Sequence, residues 1–178
     1  MVLKNDNIKI KNNNEKNTKM IAKKIEEALN LQIMEEEHAS RIYLAMASWC
    51  DANAYPGAAA FLYRHTNEER EHAEKILKYV NYRGGHAKLA PLPEVSNKFK
   101  SLIEVFEQAM EHEIHITACI NKIYELAVKE KDYGTQVFLQ WFIKEQEEEE
   151  DLFQSILDSY KNMKDCLALF DKSLMDKE

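Results

Sequence analysis

The stretch Glu68-Glu69-Arg70-Glu71-His72-Ala73-Glu74-Lys75 sits on a seam that steps by three and four residues: Ala58, Leu62, His65, Glu69, His72, Ile76 and Tyr79. That period is helical, and positions three apart share a face, so Glu69 and His72 point together. Glu36 precedes Glu69 by 33 residues and occupies a matching seam of Leu29, Ile33, Ser40, Tyr43 and Ala47. The arrangement then recurs. Adding 77 takes Glu36 to Glu113, Glu69 to Gln146 and His72 to Glu149. A carboxylate in an apolar stripe is costly unless it is paired or bound to metal. Four such stripes, each with its acid near mid-helix, bring Glu36, Glu69, His72, Glu113, Gln146 and Glu149 to one depth of a helical bundle, and such a layer describes a di-metal site.

The spacing predicts helices over residues 20–50, 56–83 and about 135–162, a third helix capped by Ser96, and a short last one over 164–175. Pro56 stands where a first helical residue tolerates proline, and Gly84-Gly85 ends the second helix. Pro91 and Pro93 mark a longer loop. Short links make two antiparallel hairpins, and the long link between them runs the length of the bundle, an all-α arrangement with one crossover.

Composition narrows the class. The chain has 178 residues, only four Gly and three Pro, and a formal net charge of -7. One domain of this size buries a sizeable core, and the acidic balance excludes a general nucleic-acid binder while suiting a protein that attracts cations. Residues 1–19 differ: five Lys and six Asn against one Asp and one Glu. They read as a disordered Lys/Asn-rich tail ahead of a domain over 20–178, or else Met20 is the natural start. Three widely spaced cysteines without a CxxC pair point to a reducing, cytoplasmic setting. No apolar run has the length of a membrane span or a signal peptide.

Carboxylates with one or two imidazoles and no thiolate favour iron or manganese over a soft metal. Glu69 and Glu113 have the reach to bridge two ions, Glu36 and His72 complete one site, Glu149 completes the other, and Gln146 orients oxygen or water. Two adjacent Fe(II) ions can deliver two electrons together to dioxygen. Tyr43 reads first as a buried phenol hydrogen-bonded to a nearby carboxylate, and second as a redox or supporting group. A second acidic set, Glu68, Glu71, Glu74, Glu145 and Glu148, reads either as a solvated face or as a third metal site or mineral-contact surface. His65 reads as a satisfied core histidine before a ligand, Trp49 and Trp141 as core, and the cysteines as small hydrophobes. His38, His86, His112 and His115 carry no signal.

These residues resemble the ferritin family. EEREHAEK (68–75) followed by Arg83-Gly84-Gly85 is similar to the ferroxidase-type signature. Residues 47–50 (ASWC), 57–62 (GAAAFL), 138–141 (FLQW) and 145–149 (EQEEE) are similar to non-haem bacterial ferritins. The resemblance covers about residues 20–175. It implies a ferritin-like four-helix bundle with a short fifth C-terminal helix lining a four-fold axis, and a homo-oligomeric hollow cage of 24 subunits. It implies di-iron ligands at Glu36, Glu69, His72, Glu113 and Glu149, with Gln146 and Tyr43 beside them. Glu68, Glu145 and Glu148 match an additional iron site, and Glu68, Glu71 and Glu74 a mineral-nucleation cluster. The implied activity is iron storage and detoxification: oxidation of Fe(II) by O2 or H2O2 and storage of Fe(III) mineral.

Two departures qualify the match. Bacterioferritins carry a haem-ligating Met where this chain has Arg70, so no haem is expected. Their second ExxH is absent, replaced by Glu145-x-x-Glu148 and Gln146-x-x-Glu149. The alternatives are a rubrerythrin-like peroxidase, which would normally add a Cys cluster, a DNA-protecting mini-ferritin using the basic tail, and a structural helical protein. No nucleic-acid or membrane partner is expected.

Overall fold

The computed structural model describes residues 20–175 and Lys177. The expected tail over 1–19 lies outside the described residues. Five helices follow one another: α1 (Lys23–Ala52), α2 (Pro56–Tyr82), α3 (Leu102–Lys129), α4 (Tyr133–Met163) and α5 (Leu167–Ser173). None is long and apolar enough to cross a membrane.

Local chemistry sets the boundaries. Pro56 opens α2, and Gly84 at φ 76° closes it. The Gly85 N–H bonds to the Val80 carbonyl (3.0 Å) and the Gly84 N–H to that of Asn81 (3.1 Å), the paired closure that a left-handed glycine permits. The third helix begins later than the sequence reading placed it. Ser101, not Ser96, is the cap, accepting from the Glu104 N–H at 3.3 Å while Glu104 accepts from the Lys100 N–H. Burial explains the shift: Leu102, Val105 and Phe106 are the first residues of this segment to reach the core. The fourth helix starts at Tyr133 rather than after Gly134, because Asp132 caps it through the Thr135 N–H at 3.0 Å.

α1 and α2 pack along their length, as do α3 and α4, and α1 also packs on α3. The crossover is pinned beside α1 at both ends. His86 and Lys88 bond to Glu26 and Asn30, and Phe99 packs edge-on against Trp49 at 5.7 Å. From Asn30 to Trp49 is about 28 Å of helix, so the loop carries the chain from one end of the bundle to the other. α2 and α4 meet through long side chains. Tyr79 stacks on Phe138 at 3.8 Å, and Arg83 pairs with Asp132 at 3.0 Å.

The core is divided. One apolar cluster gathers Tyr43, Phe61, Phe106, Phe153 and Phe170, and the other Ile25, Ile76, Ile116, Ile120 and Phe142. Between them lies a buried polar layer: Glu36, His65, Glu69, His72, Glu113, Gln146 and Glu149.

Candidate metal centre

Each of the four long helices contributes to this layer. Glu36 comes from α1, His65, Glu69 and His72 from α2, Glu113 from α3, and Gln146 and Glu149 from α4. Relative exposure is 1% for Glu36, 3% for Glu69, 6% for His72, 0% for Glu113 and 9% for Glu149. Glutamates almost never reach such burial without a partner.

Ligand atoms of Glu36, Glu69 and His72 lie within 4.8 Å of one another, with His72 Nδ1 3.4 Å from Glu69 Oε2. Gln32, a residue the sequence reading passed over, donates to Glu36 Oε1 at 3.0 Å; it is one turn before Glu36 on the same seam. Glu113 is held from two sides. Tyr43 donates its phenolic hydrogen to Oε1, and Gln146 Nε2 donates to Oε2 at 3.0 Å. The tyrosine therefore contacts the carboxylate layer as a hydrogen-bonded phenol, and burial, followed by the nearby Glu113 and Glu69 charges, raises its pKa well above the usual value.

Three carboxylate oxygens in this layer, on Glu36, Glu69 and Glu149, are buried with no hydrogen-bond partner. Burial first, and then the neighbouring acids, raise Glu36 and Glu69 well above the ordinary carboxylate range. Glu113 rises to about 7, chiefly by burial and then by repulsion from Glu149, with the Tyr43 and Gln146 hydrogen bonds opposing the shift. Acids crowded in this way hold protons in place of the cation that would otherwise neutralise them.

His65 behaves differently from a simple core histidine. Its ring packs 4.2 Å from Phe61 and 5.4 Å from Phe153, and Nδ1 lies 3.3 Å from the Phe61 carbonyl. It also forms a ligand-capable group with Glu68 and Glu149. Nε2 stands 3.4 Å from Glu149 Oε2, yet both atoms lack an aligned hydrogen bond. Burial lowers the His65 pKa, and the Glu149 and Glu68 carboxylates more than reverse this, for a net rise. The carboxylate of Glu149 was legible in the sequence; its pairing with His65 across helices was not.

The second acidic set separates into two environments. Glu68, Glu71, Glu74 and Glu145 line one open cavity together with His72, Lys75 and Trp141. Glu145 is half-buried, 3.9 Å from His72 Nε2, and burial raises its pKa. Glu74 is exposed and bonded to Lys78 at 3.0 Å. Glu148 points elsewhere, exposed and paired with Lys144 at 2.8 Å, as a solvated helix face requires. Trp141 is not core as expected. It is 37% exposed, with its ring 5.4 Å from that of His72 and Lys75 Nζ 3.0 Å above its centre. Cys50 is buried as a small hydrophobe, while Cys119 is half-buried and Cys166 exposed, contrary to that reading.

Comparisons with known proteins agree with this architecture. The ferritin-like domain family model matches residues 26–163. The bacterial non-heme ferritin of Campylobacter jejuni is 44% identical over 142 residues, covering 80% of this chain and 85% of that protein. That of Staphylococcus saprophyticus is 39% identical over 158 residues, covering 87% and 95%. An open pore ferritin from the archaeon Archaeoglobus fulgidus superposes with a TM-score of 0.86 at 35% identity, covering 89% of this chain and 98% of that one. A divided helical core, a carboxylate layer supplied by four helices and these similarities place the chain in the ferritin family.

Proposed function

We propose that the protein is an iron-storing ferroxidase: it oxidises Fe(II) with O2 or H2O2 at the buried layer and stores the Fe(III) product as mineral inside a cage of identical subunits. The observation that carries this reading is the set of partnerless buried oxygens on Glu36, Glu69 and Glu149. Unpaired buried acceptors are destabilising, and divalent cations at this depth satisfy them. Hard carboxylate oxygens with one imidazole suit Fe(II).

Glu36, Glu69 and His72 hold one Fe(II), and Glu69, Glu113 and Glu149 hold the other, with Glu69 shared. Two Fe(II) ions give up one electron each, and dioxygen takes these two electrons and two protons to leave as hydrogen peroxide. The protein's part is positioning and proton balance. Glu36, Glu69 and Glu113 shed protons when the cations arrive. Tyr43 and Gln146 fix both oxygens of Glu113, so that carboxylate faces the ions in one orientation. The apolar clusters on either side limit water at the layer. Glu68, Glu71, Glu74 and Glu145 offer a third binding area at its mouth, either a further iron site or a surface for the growing mineral. A 24-subunit cage and a cytoplasmic setting belong to the same proposal.

The test is anaerobic Fe(II) titration, counting ions bound per subunit, followed by admission of oxygen. Wild type should bind at least two Fe(II) per subunit and oxidise them rapidly. Glu69→Ala and His72→Ala should each slow oxidation at least ten-fold, and unchanged rates would falsify the site assignment. Gel filtration checks the particle: a 24-subunit shell elutes far ahead of the 12-subunit shell of a mini-ferritin or of a dimer.

A further inference from the structure

On the α1–α3 face, beside Tyr43, whose ring centre is 6.4 Å from that of His112, three histidines line one cavity of ≈ 440 Å³ beneath the crossover. His38 comes from α1, and His112 and His115 from successive turns of α3. The His38 and His112 ring centres are 6.4 Å apart, and those of His112 and His115 are 6.1 Å apart. Glu94 from the crossover and Glu111 from α3 line the same cavity.

Two features set this cluster apart from ordinary packing. The Nε2 atoms of His38 and His112 are both buried without a hydrogen-bond partner, although a buried ring nitrogen normally finds one. His115 is oriented by a carboxylate, with Nε2 3.3 Å from Glu35 Oε2. Such a carboxylate partner is the usual outer support of a metal-bound imidazole; if Nε2 carries the hydrogen toward Glu35, Nδ1 is left to ligate.

We propose that His38, His112 and His115 form a second transition-metal site, separate from the carboxylate layer, which takes a borderline divalent ion such as Zn2+ through imidazole nitrogens. A four-coordinate ion about 2.0–2.1 Å from each nitrogen holds ring centres roughly 5 Å apart; the rings stand wider than this and their nitrogens are not gathered within 4.8 Å of one another, so the three side chains must turn inward to close the site on the ion. Glu94 or Glu111 supplies the fourth ligand and offsets the ionic charge. The donor set differs in kind from the layer. Imidazole suits Zn, Cu and Ni as well as Fe, so this pocket captures ions for which the oxygen-rich centre is less suited. The site uses none of the residues assigned to iron oxidation, and it stands whether or not that function does.

Zn2+ titration of the assembled protein by calorimetry, with metal counted after desalting, tests it. The probes are wild type, the double variant His38→Ala/His115→Ala, and Glu69→Ala. The double variant should lose one Zn2+ equivalent per subunit, or bind it at least ten-fold more weakly, while Glu69→Ala keeps that equivalent. A double variant that retains the full complement overturns the proposal. Should the double variant fail to fold by circular dichroism, anomalous diffraction from wild-type crystals soaked in Zn2+ decides. A peak among the three rings supports the site, and peaks confined to the carboxylate layer refute it.

Discussion

The Asp171 carboxylate, on the last helix, accepts hydrogen bonds from the backbone N–H groups of Gly57 (3.0 Å) and Ala58 (2.8 Å) at the start of α2. It thereby satisfies two donors that the first turn of a helix leaves open, and it places a negative charge at the positive end of α2. The same contact locks α5 onto the bundle, where Phe170 and Leu174 are fully buried. Asp171→Ala should cost about 1–2 kcal/mol, the usual loss for a helix cap, read as a lower urea midpoint. Asp171→Asn should cost less, because one acceptor remains. Gly57→Ala should be worse than either, since a Cβ there would come within 1.8 Å of the Asp171 carbonyl oxygen. Faster protease cleavage around residues 164–167 would report release of α5.

Metal-free protein should lose stability as pH rises toward neutrality. Glu113 has its pKa raised from an ordinary 4.5 to about 7 by burial and then by Glu149. For an acid raised in this way, the folded state holds the proton that the unfolded state gives up between those values. The stabilisation is therefore complete below about 4.5 and is lost as pH rises through about 7. Thermal midpoints of the apo-protein should fall across that window, and divalent metal should restore them. Tyr43→Phe removes a hydrogen bond that favours the Glu113 carboxylate, so metal uptake should need a higher pH in that variant. An uptake profile identical to wild type would mean that the phenol does not control Glu113.

The carboxylate layer was readable in the sequence because helix period and the 77-residue offset both act along the chain. Glu36, Glu69 and Glu113 needed only mid-helix positions on apolar seams to meet at one depth. The Gly84-Gly85 helix end was readable for a similar reason, since a left-handed turn is a local demand. What escaped depends on helix pairing. His65 meets Glu149 from another hairpin, and His38 meets His112 only because α1 lies on α3. Asp171 carries no local signal in the sequence; its role as a cap exists only because α5 folds back onto the start of α2. The Ser96 cap was wrong because cap chemistry alone does not say where the chain first reaches the core; Leu102 is the first buried residue there, and Ser101 precedes it.

Arg83 and Asp132 bind the far ends of α2 and α4 through two hydrogen bonds, Nη1 to Oδ1 at 3.1 Å and Nη2 to Oδ2 at 3.0 Å. The pair is mostly buried, at 15% and 10% side-chain exposure, so the planar fork matters. Arg83→Lys should still lose about 1–3 kcal/mol, because one ammonium cannot replace two parallel bonds and Asp132 stays buried. Although burial acts to raise the Asp132 pKa, the bonds from Arg83 and Thr135 outweigh it and hold the carboxyl below its ordinary 3.8. Its contribution is then present above that value and is lost as pH falls through the lower folded pKa. Acid unfolding of wild type should accordingly begin at lower pH than that of Asp132→Asn.

Trp141 should report occupancy of the carboxylate layer if iron binds there as proposed. Its ring is 5.4 Å from that of His72 and lies beneath the Lys75 ammonium, whereas Trp49 packs with Tyr55 and Phe99 against the apolar cluster that holds Phe61 and Phe106. A paramagnetic, redox-active ion on His72 therefore lies close to one indole and far from the other. Fe(II) addition should quench most of the Trp141 fluorescence, and the response should survive in Trp49→Phe and vanish in Trp141→Phe. In His72→Ala the quenching should need at least ten-fold more Fe(II), because the ligand nearest the indole is gone. Equal quenching in the two tryptophan variants would place the bound iron somewhere other than beside His72.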